Sequence, residues 1–287
     1  ALEHHLEDRR DLGAPVTDPA KRPDPRLAAY AAYLDDVRGN QPSTIRQHVH
    51  TASQFLAHMA PSANGHRLAM VAAPDIESFV TTVGRRLGRA SLQHTIAHLR
   101  GFLRFLATAG EVRPGLDAQI DTPRLYRLEQ LPRALAWQTV RSLLESIDRK
   151  THVGLRDYTM LFLMATYGLR SSEIVALTLD DICWRSHSIR ITQRKTDTPL
   201  LLPLTDAAAT ALVRYLRRGR PASSPYRQVF LRSRAPDGTL APGAVTKAFD
   251  YWSRRSGLDI PSWGPHCLRH SFAIHLLRQG TAFKTIG

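Results

Sequence analysis

The chain has 287 residues, 43% of them hydrophobic, with a formal net charge of +14 and a pI near 10.5. That is enough for one large or two medium domains with a sizeable core, and the positive excess points to a polyanionic partner, nucleic acid first. No apolar run is long enough to span a bilayer, the first residues lack a signal-peptide core, and Cys183 and Cys267 supply neither a disulfide framework nor metal-ligand spacing.

Residues 1–23 are charged, carry several prolines and lack periodicity, so a flexible tail is expected. Four helical patterns follow. Leu27, Tyr30, Ala31 and Leu34 suit a first helix. Ser43 or Thr44 can cap a second, carrying Ile45, Val49, Ala52, Phe55 and Leu56. Pro74-Asp75-Ile76 opens a third. Ser91 is expected to cap a fourth, which keeps Leu92, Ile96, Leu99, Leu103 and Leu106 in helical phase until Gly110. Residues 24–110 therefore read as a compact four-helix domain. It carries Arg46, His48, His50, Arg85, Arg86, Arg89, His94, His98, Arg100 and Arg104, with almost no acidic residue between Arg85 and Arg104, which favours phosphate contact.

Residues 111–130 contain Pro114-Gly115 and Pro123 and read as a linker to a second domain over 131–287. Trp137–Ile147 is an amphipathic helix and residues 155–167 a buried one stopping at Gly168. Residues 188–193 and 200–204 alternate as strands, with a hairpin turn at 195–198. Further helices are expected at 206–218, 243–255 and 266–279. The fold class is mainly α with a small antiparallel sheet.

Three segments of this second half carry chemistry. Pro265 and Gly280 bound a helix on which Leu268, Phe272 and Leu276 face inward, while His266 and Arg269 share another side and can meet one ligand. Arg170 stands in the turn between two helices, where free amides and a guanidinium suit an anion; Glu173, three residues on, can hold it as an ion pair. Lys195, flanked by Arg194 and Thr196 in the hairpin turn, can reach into a groove and protonate a leaving oxygen.

Taken in order, Leu131-Pro132-Arg133-Ala134-Leu135, Gly168-Leu169-Arg170-Ser171-Ser172-Glu173, Arg194-Lys195-Thr196 with Leu201-Leu202-Pro203-Leu204, and His266-Cys267-Leu268-Arg269-His270-Ser271-Phe272-Ala273 resemble segments of the tyrosine recombinase (phage integrase) family. The resemblance runs from about residue 25 to the end. It implies an N-terminal four-helix SAM-like DNA-binding domain and an α+β catalytic domain. The implied activity is site-specific breakage and rejoining of DNA through a 3′-phosphotyrosyl link. Arg170 and Arg269 would clamp the phosphate, with Glu173 supporting Arg170. Lys195 would protonate the 5′ oxygen, and His266 would help take the tyrosine proton or support the phosphate. Arg46, Arg85, Arg86, Arg89, His94, Arg100, Arg104 and Arg194 would contact double-stranded DNA. Neither metal nor cofactor is implied, and the location implied is the cytoplasm of a prokaryote, on the nucleoid.

Family members continue with a helix bearing a further His or Trp and then the tyrosine. Here Lys284-Thr285-Ile286-Gly287 stands where that region begins, and the eight tyrosines all precede His266. The expectation is a chain that stops before its nucleophile, inactive for cleavage and monomeric, where the complete enzyme forms tetramers on paired sites. The alternatives are a non-catalytic DNA-binding remnant or regulator and, more weakly, a type IB topoisomerase.

Overall fold

The computed structural model describes residues 24–59, 68–124, 133–193, 198–261 and 263–282. The tail over 1–23, the hairpin turn with Arg194 and Lys195, and the segment from Leu125 to Pro132 lie outside the described residues. The chain divides into two units, 1–129 and 130–287.

The first unit contains the four helices read from the sequence: α1 (Pro25–Ala32), which runs on into a π-turn at Tyr33–Val37, then α2 (Pro42–Met59), α3 (Ala73–Gly84) and α4 (Arg89–Thr108). Two starts differ from expectation. Pro42 itself opens α2, since proline's missing N–H costs nothing in a first turn. Gly88, not Ser91, precedes α4. Leu99, Phe102, Leu103 and Leu106 of α4 are sealed against Tyr30, Ala52, Phe55 and Phe79. Each such side chain contributes roughly 1.5–3 kcal/mol by leaving water. The early part of the expected linker belongs to this core. Val112, Leu116 and Ile120 are buried in it, because a short turn at Leu116–Gln119 folds back on α4.

The second unit is built around α6 (His152–Tyr167). Met160, Leu161, Leu163 and Met164 are fully buried, because this helix is apolar nearly all round and α5 (Trp137–Ser146), α8 (Asp206–Arg218), α9 (Pro242–Arg255) and α10 (His266–Arg278) pack against it. The Thr151 hydroxyl caps its start by accepting the Gly154 N–H, one turn earlier than the sequence suggested. Short α7 (Ser171–Ala176) follows. An antiparallel sheet then runs β1 (Ile182–Cys183), β2 (Ser188–Gln193) and β3 (Thr198–Pro203), with Ile189 opposite Leu202 and Ile191 opposite Leu200. Ile189 and Ile191 point into the core and Arg190 outward, as the alternation requires. Strand β1 is too short to leave a periodic signal and was not expected. No described helix is long and apolar enough to cross a membrane.

Candidate active site and nucleic-acid interface

Arg170 is placed by the end of α6. Gly168 closes that helix at φ +64°, the left-handed region that glycine occupies without a Cβ penalty. A Cβ here would meet the Phe272 ring at 2.7 Å, so α10 lies directly against the turn. Two residues on, Arg170 precedes α7. Its N–H donates to Glu173 Oε2 at 2.8 Å and its Nη1 to Glu173 Oε1 at 2.8 Å. The Glu173 side chain is 4% exposed and that of Arg170 36%. One carboxylate thus caps α7 and fixes the guanidinium with its outer edge free.

Arg269 arrives from the other end of the unit. Pro265 opens α10, Cys267 and Leu268 bury the inner side, and Arg269 reaches back to donate its Nη1 to the carbonyl of Gly168 at 2.5 Å. Ser271 secures the helix: its hydroxyl donates to Cys267 O and accepts the Leu135 N–H. Trp137 stacks flat on His275, with ring centroids 4.1 Å apart. Segment 135–137, near the start of the unit, therefore clamps the helix that carries His266 and Arg269.

The charges of this cluster feel one another. Burial holds the Arg269 guanidinium below its ordinary value, Arg170 pushes the same way, and Glu173 opposes them. The His266 imidazole, whose outer edge is exposed, is held below its ordinary value by partial burial, then by His270, Arg269 and Arg170. His270, one turn along, meets the His266 ring edge-on at 4.7 Å and 87°. The sequence reading passed over His270, although the four-residue spacing was its signal. Two guanidiniums thus feel a single buried carboxylate, and the His266 imidazole feels both guanidiniums.

Histidines also gather in the first unit. Arg46, His50, His94 and His98, with Ser43, Thr51 and Thr95, line a groove of about 640 Å³ between α2 and α4. Beneath it, His48 and His98 lie 4.2 Å apart. His48 Nδ1 is 2.9 Å from the Tyr30 hydroxyl, and His98 Nδ1 is 3.4 Å from Thr51 Oγ1. Burial, then His48 and His94, lowers His98 to about 4. The other cations expected on DNA separate. Arg85 and Arg86 are exposed just beyond α3, and Arg89 is exposed at the start of α4. Arg100 turns inward to the Ile120 carbonyl, and Arg104 faces Asp117 at 3.6 Å. A charge-only reading of α4 could not separate these two, because the turn at 116–120 that engages them comes later in the chain.

Tyr30 and Tyr215 are buried, and the Tyr167 hydroxyl donates to Pro203 O and accepts the Thr205 N–H. Among the described residues no group of His, Cys, Asp and Glu could hold a metal ion.

Comparison with known proteins matches both units. The phage integrase family fits residues 133–287, and the phage integrase N-terminal SAM-like domain fits residues 27–110. Tyrosine recombinase XerD of Listeria innocua is 31% identical over 87% of this chain and 84% of its own length. Of an integrase/recombinase relative from Sinorhizobium fredii, 34% identical, the chain spans 63% of the length. In fold, the chain is similar to a lambda integrase tetramer bound to a Holliday junction, with a TM-score of 0.70 at 16% identity over 100% of this chain and 83% of that one. It is also similar to XerH recombinase bound to difH, with a TM-score of 0.67 at 18% identity over 91% and 76%. With its four-helix first unit, its second unit built on α6 and its relatives all pointing one way, this chain belongs to the phage integrase family, the tyrosine recombinases.

Proposed function

We propose that this protein is a site-specific DNA recombinase whose second unit holds a DNA phosphodiester between Arg170 and Arg269. Charge matching carries the reading: Glu173 is one carboxylate facing two guanidiniums, and Arg269 is already held below its ordinary value. A phosphodiester supplies the missing negative charge. In the step, a tyrosine oxygen attacks phosphorus and the bond to the 5′ oxygen breaks. Lys195 gives that oxygen its proton, and His266 takes the proton from the attacking phenol. Charge growing on the non-bridging oxygens meets the two arginines. One preorganised donor of this kind contributes roughly 3–4 kcal/mol in comparable oxyanion sites. The reaction is reversible through the 3′-phosphotyrosyl link, so strands rejoin without a nucleotide cofactor.

Double-stranded DNA is the proposed partner, held by both units. Arg46, Arg85, Arg86, Arg89, His94 and Arg194 contribute phosphate contacts, and copies assemble as a tetramer on paired sites. The DNA-bound lambda integrase and XerH structures of the same fold support this reading. In the described residues, Arg100 and Arg104 have intramolecular partners and contribute least.

The test uses the protein expressed from its full reading frame and a nicked suicide duplex. A covalent adduct should survive denaturing electrophoresis. Arg170→Ala and Arg269→Ala should each slow its formation about 10²–10³-fold while duplex affinity changes only a few-fold. Equal losses in binding and adduct formation would make Arg170 a structural residue. Binding with no adduct at all would favour a non-catalytic occupant of recombination sites.

A further inference from the structure

A second cavity lies on the catalytic unit, of about 680 Å³, between the first turns of α6 and the outer face of α9. Asp157, on its floor, stands eleven residues before Gly168. At 1.5 Å per residue that is about 16 Å along the helix axis, so the cavity is separate from the arginine pair.

Its wall is one stripe of α9. Ala244, Lys247, Ala248, Tyr251 and Arg255 recur every three or four residues and therefore share a face. Ala244 is part-exposed and small enough for another chain to approach closely, while Ala248 is buried beneath the stripe. Tyr251 is 54% exposed, and Val153 on the facing wall is 41% exposed. The floor is rigid. Arg156 donates to Asp157 Oδ1 through Nε at 2.9 Å and Nη2 at 2.8 Å, while Trp252 Nε1 donates to Asp157 Oδ2 at 3.1 Å. Arg156 Nη1 also ties this corner to Leu231 O and Ser233 Oγ.

The charge of Arg156 is thus matched internally by Asp157. What remains on the rim is Arg234, Lys247 and Arg255 against one carboxylate, Asp148, whose Oδ1 already accepts the Lys150 N–H. The cavity therefore offers apolar depth, a small residue for close approach and a cationic edge. A duplex presents phosphates on a convex, hydrated surface and cannot fill such a slot. An amphipathic peptide with apolar anchors flanked by carboxylates matches both features.

We propose that this slot is a docking site for an acidic, apolar-anchored peptide segment of a partner protein. Occupancy would place that partner away from the phosphate site, so docking and DNA binding can coexist.

The probe is a fluorescein-labelled, 14-residue amphipathic peptide with leucines on one face and glutamates on the other, read by polarisation against the intact protein. Saturable binding is expected, weakened at least tenfold by Lys247→Glu or Arg255→Glu, both at exposed positions. Replacing the peptide's leucines with glutamines should weaken it equally, and saturating duplex DNA should leave it in place. No saturable binding, or affinity unchanged in both charge-reversal variants, overturns the proposal. Displacement of the peptide by duplex DNA also overturns it and makes the surface a nucleic-acid contact. Ala244→Trp, which fills the slot, should abolish binding while the thermal unfolding midpoint stays within a few degrees. If it binds the peptide normally, the slot is not the site.

Discussion

Two histidines one turn apart on α10 set how the proposed proton transfer responds to pH. His266 is held below the ordinary imidazole value by partial burial and then by His270, Arg269 and Arg170. Its neutral form, the one able to accept a proton, therefore persists to lower pH than for a free histidine. His270→Asn removes one of the groups that oppose protonation, so His266 should titrate at higher pH. The acid limb of the cleavage profile should move up with it. The His266 Cε1–H resonance reports this directly, without any cleavage assay; an unmoved titration would show that the ring contact is packing alone. His98 obeys the same sign in the other unit. Its pKa is lowered from 6.5 to about 4, so the folded state binds fewer protons than the unfolded chain. Its contribution is fully present above about pH 6.5 and lost as pH falls towards 4. Because His98 is only partly buried and coupled to His48 and His94, the loss is on the order of 2 kcal/mol. Thermal melts should show stability falling over that window, and His98→Gln should flatten the fall.

At the scale of elements, the site is a junction between helix ends. The closing turn of α6 offers the Gly168 carbonyl to Arg269 and its missing Cβ to Phe272. Gly168→Ala must place a Cβ at positive φ and displace the Phe272 ring. A cost of about 2–4 kcal/mol follows from the two effects together. Denaturant unfolding measures it, and adduct formation should fall beyond what the stability loss explains, because α10 carries His266 and Arg269. The pairing of Arg170 with Glu173 was legible in the sequence as an i, i+3 pair at a helix start. So was the shared side of His266 and Arg269. The hydrogen bond from Arg269 to Gly168 spans 101 residues and was not legible, since helical spacing says nothing about which helix end faces another. For the same reason the sequence did not reveal the partners of Arg100 and Arg104 in the 116–120 turn.

At the scale of the whole molecule, the net charge of +14 makes association with DNA a counterion-release process. Duplex affinity should fall linearly on a log–log plot against salt. Arg46→Ala, in the groove between α2 and α4, should weaken binding to all duplexes alike and reduce the slope by about one. Arg104→Ala should leave the slope nearly unchanged, because that guanidinium already faces Asp117. A fluorescence titration at several salt concentrations distinguishes the two; equal slope changes would mean that Asp117 releases Arg104 to the duplex.

By itself the sequence determined the helical periodicity of both units, the polyanionic character of the partner, and the order of Arg170, Glu173, His266 and Arg269 along the chain. Those properties are local or additive: a repeat of apolar residues, a sum of charges, a spacing of three or four. Only the tertiary structure decided that Arg100 reaches the Ile120 carbonyl and that Arg104 faces Asp117. It also decided that His48 and His98 share a half-buried contact, and that α9 leaves a cationic slot beside Trp252. These depend on which surfaces exclude water together, and that is settled by packing between segments tens of residues apart.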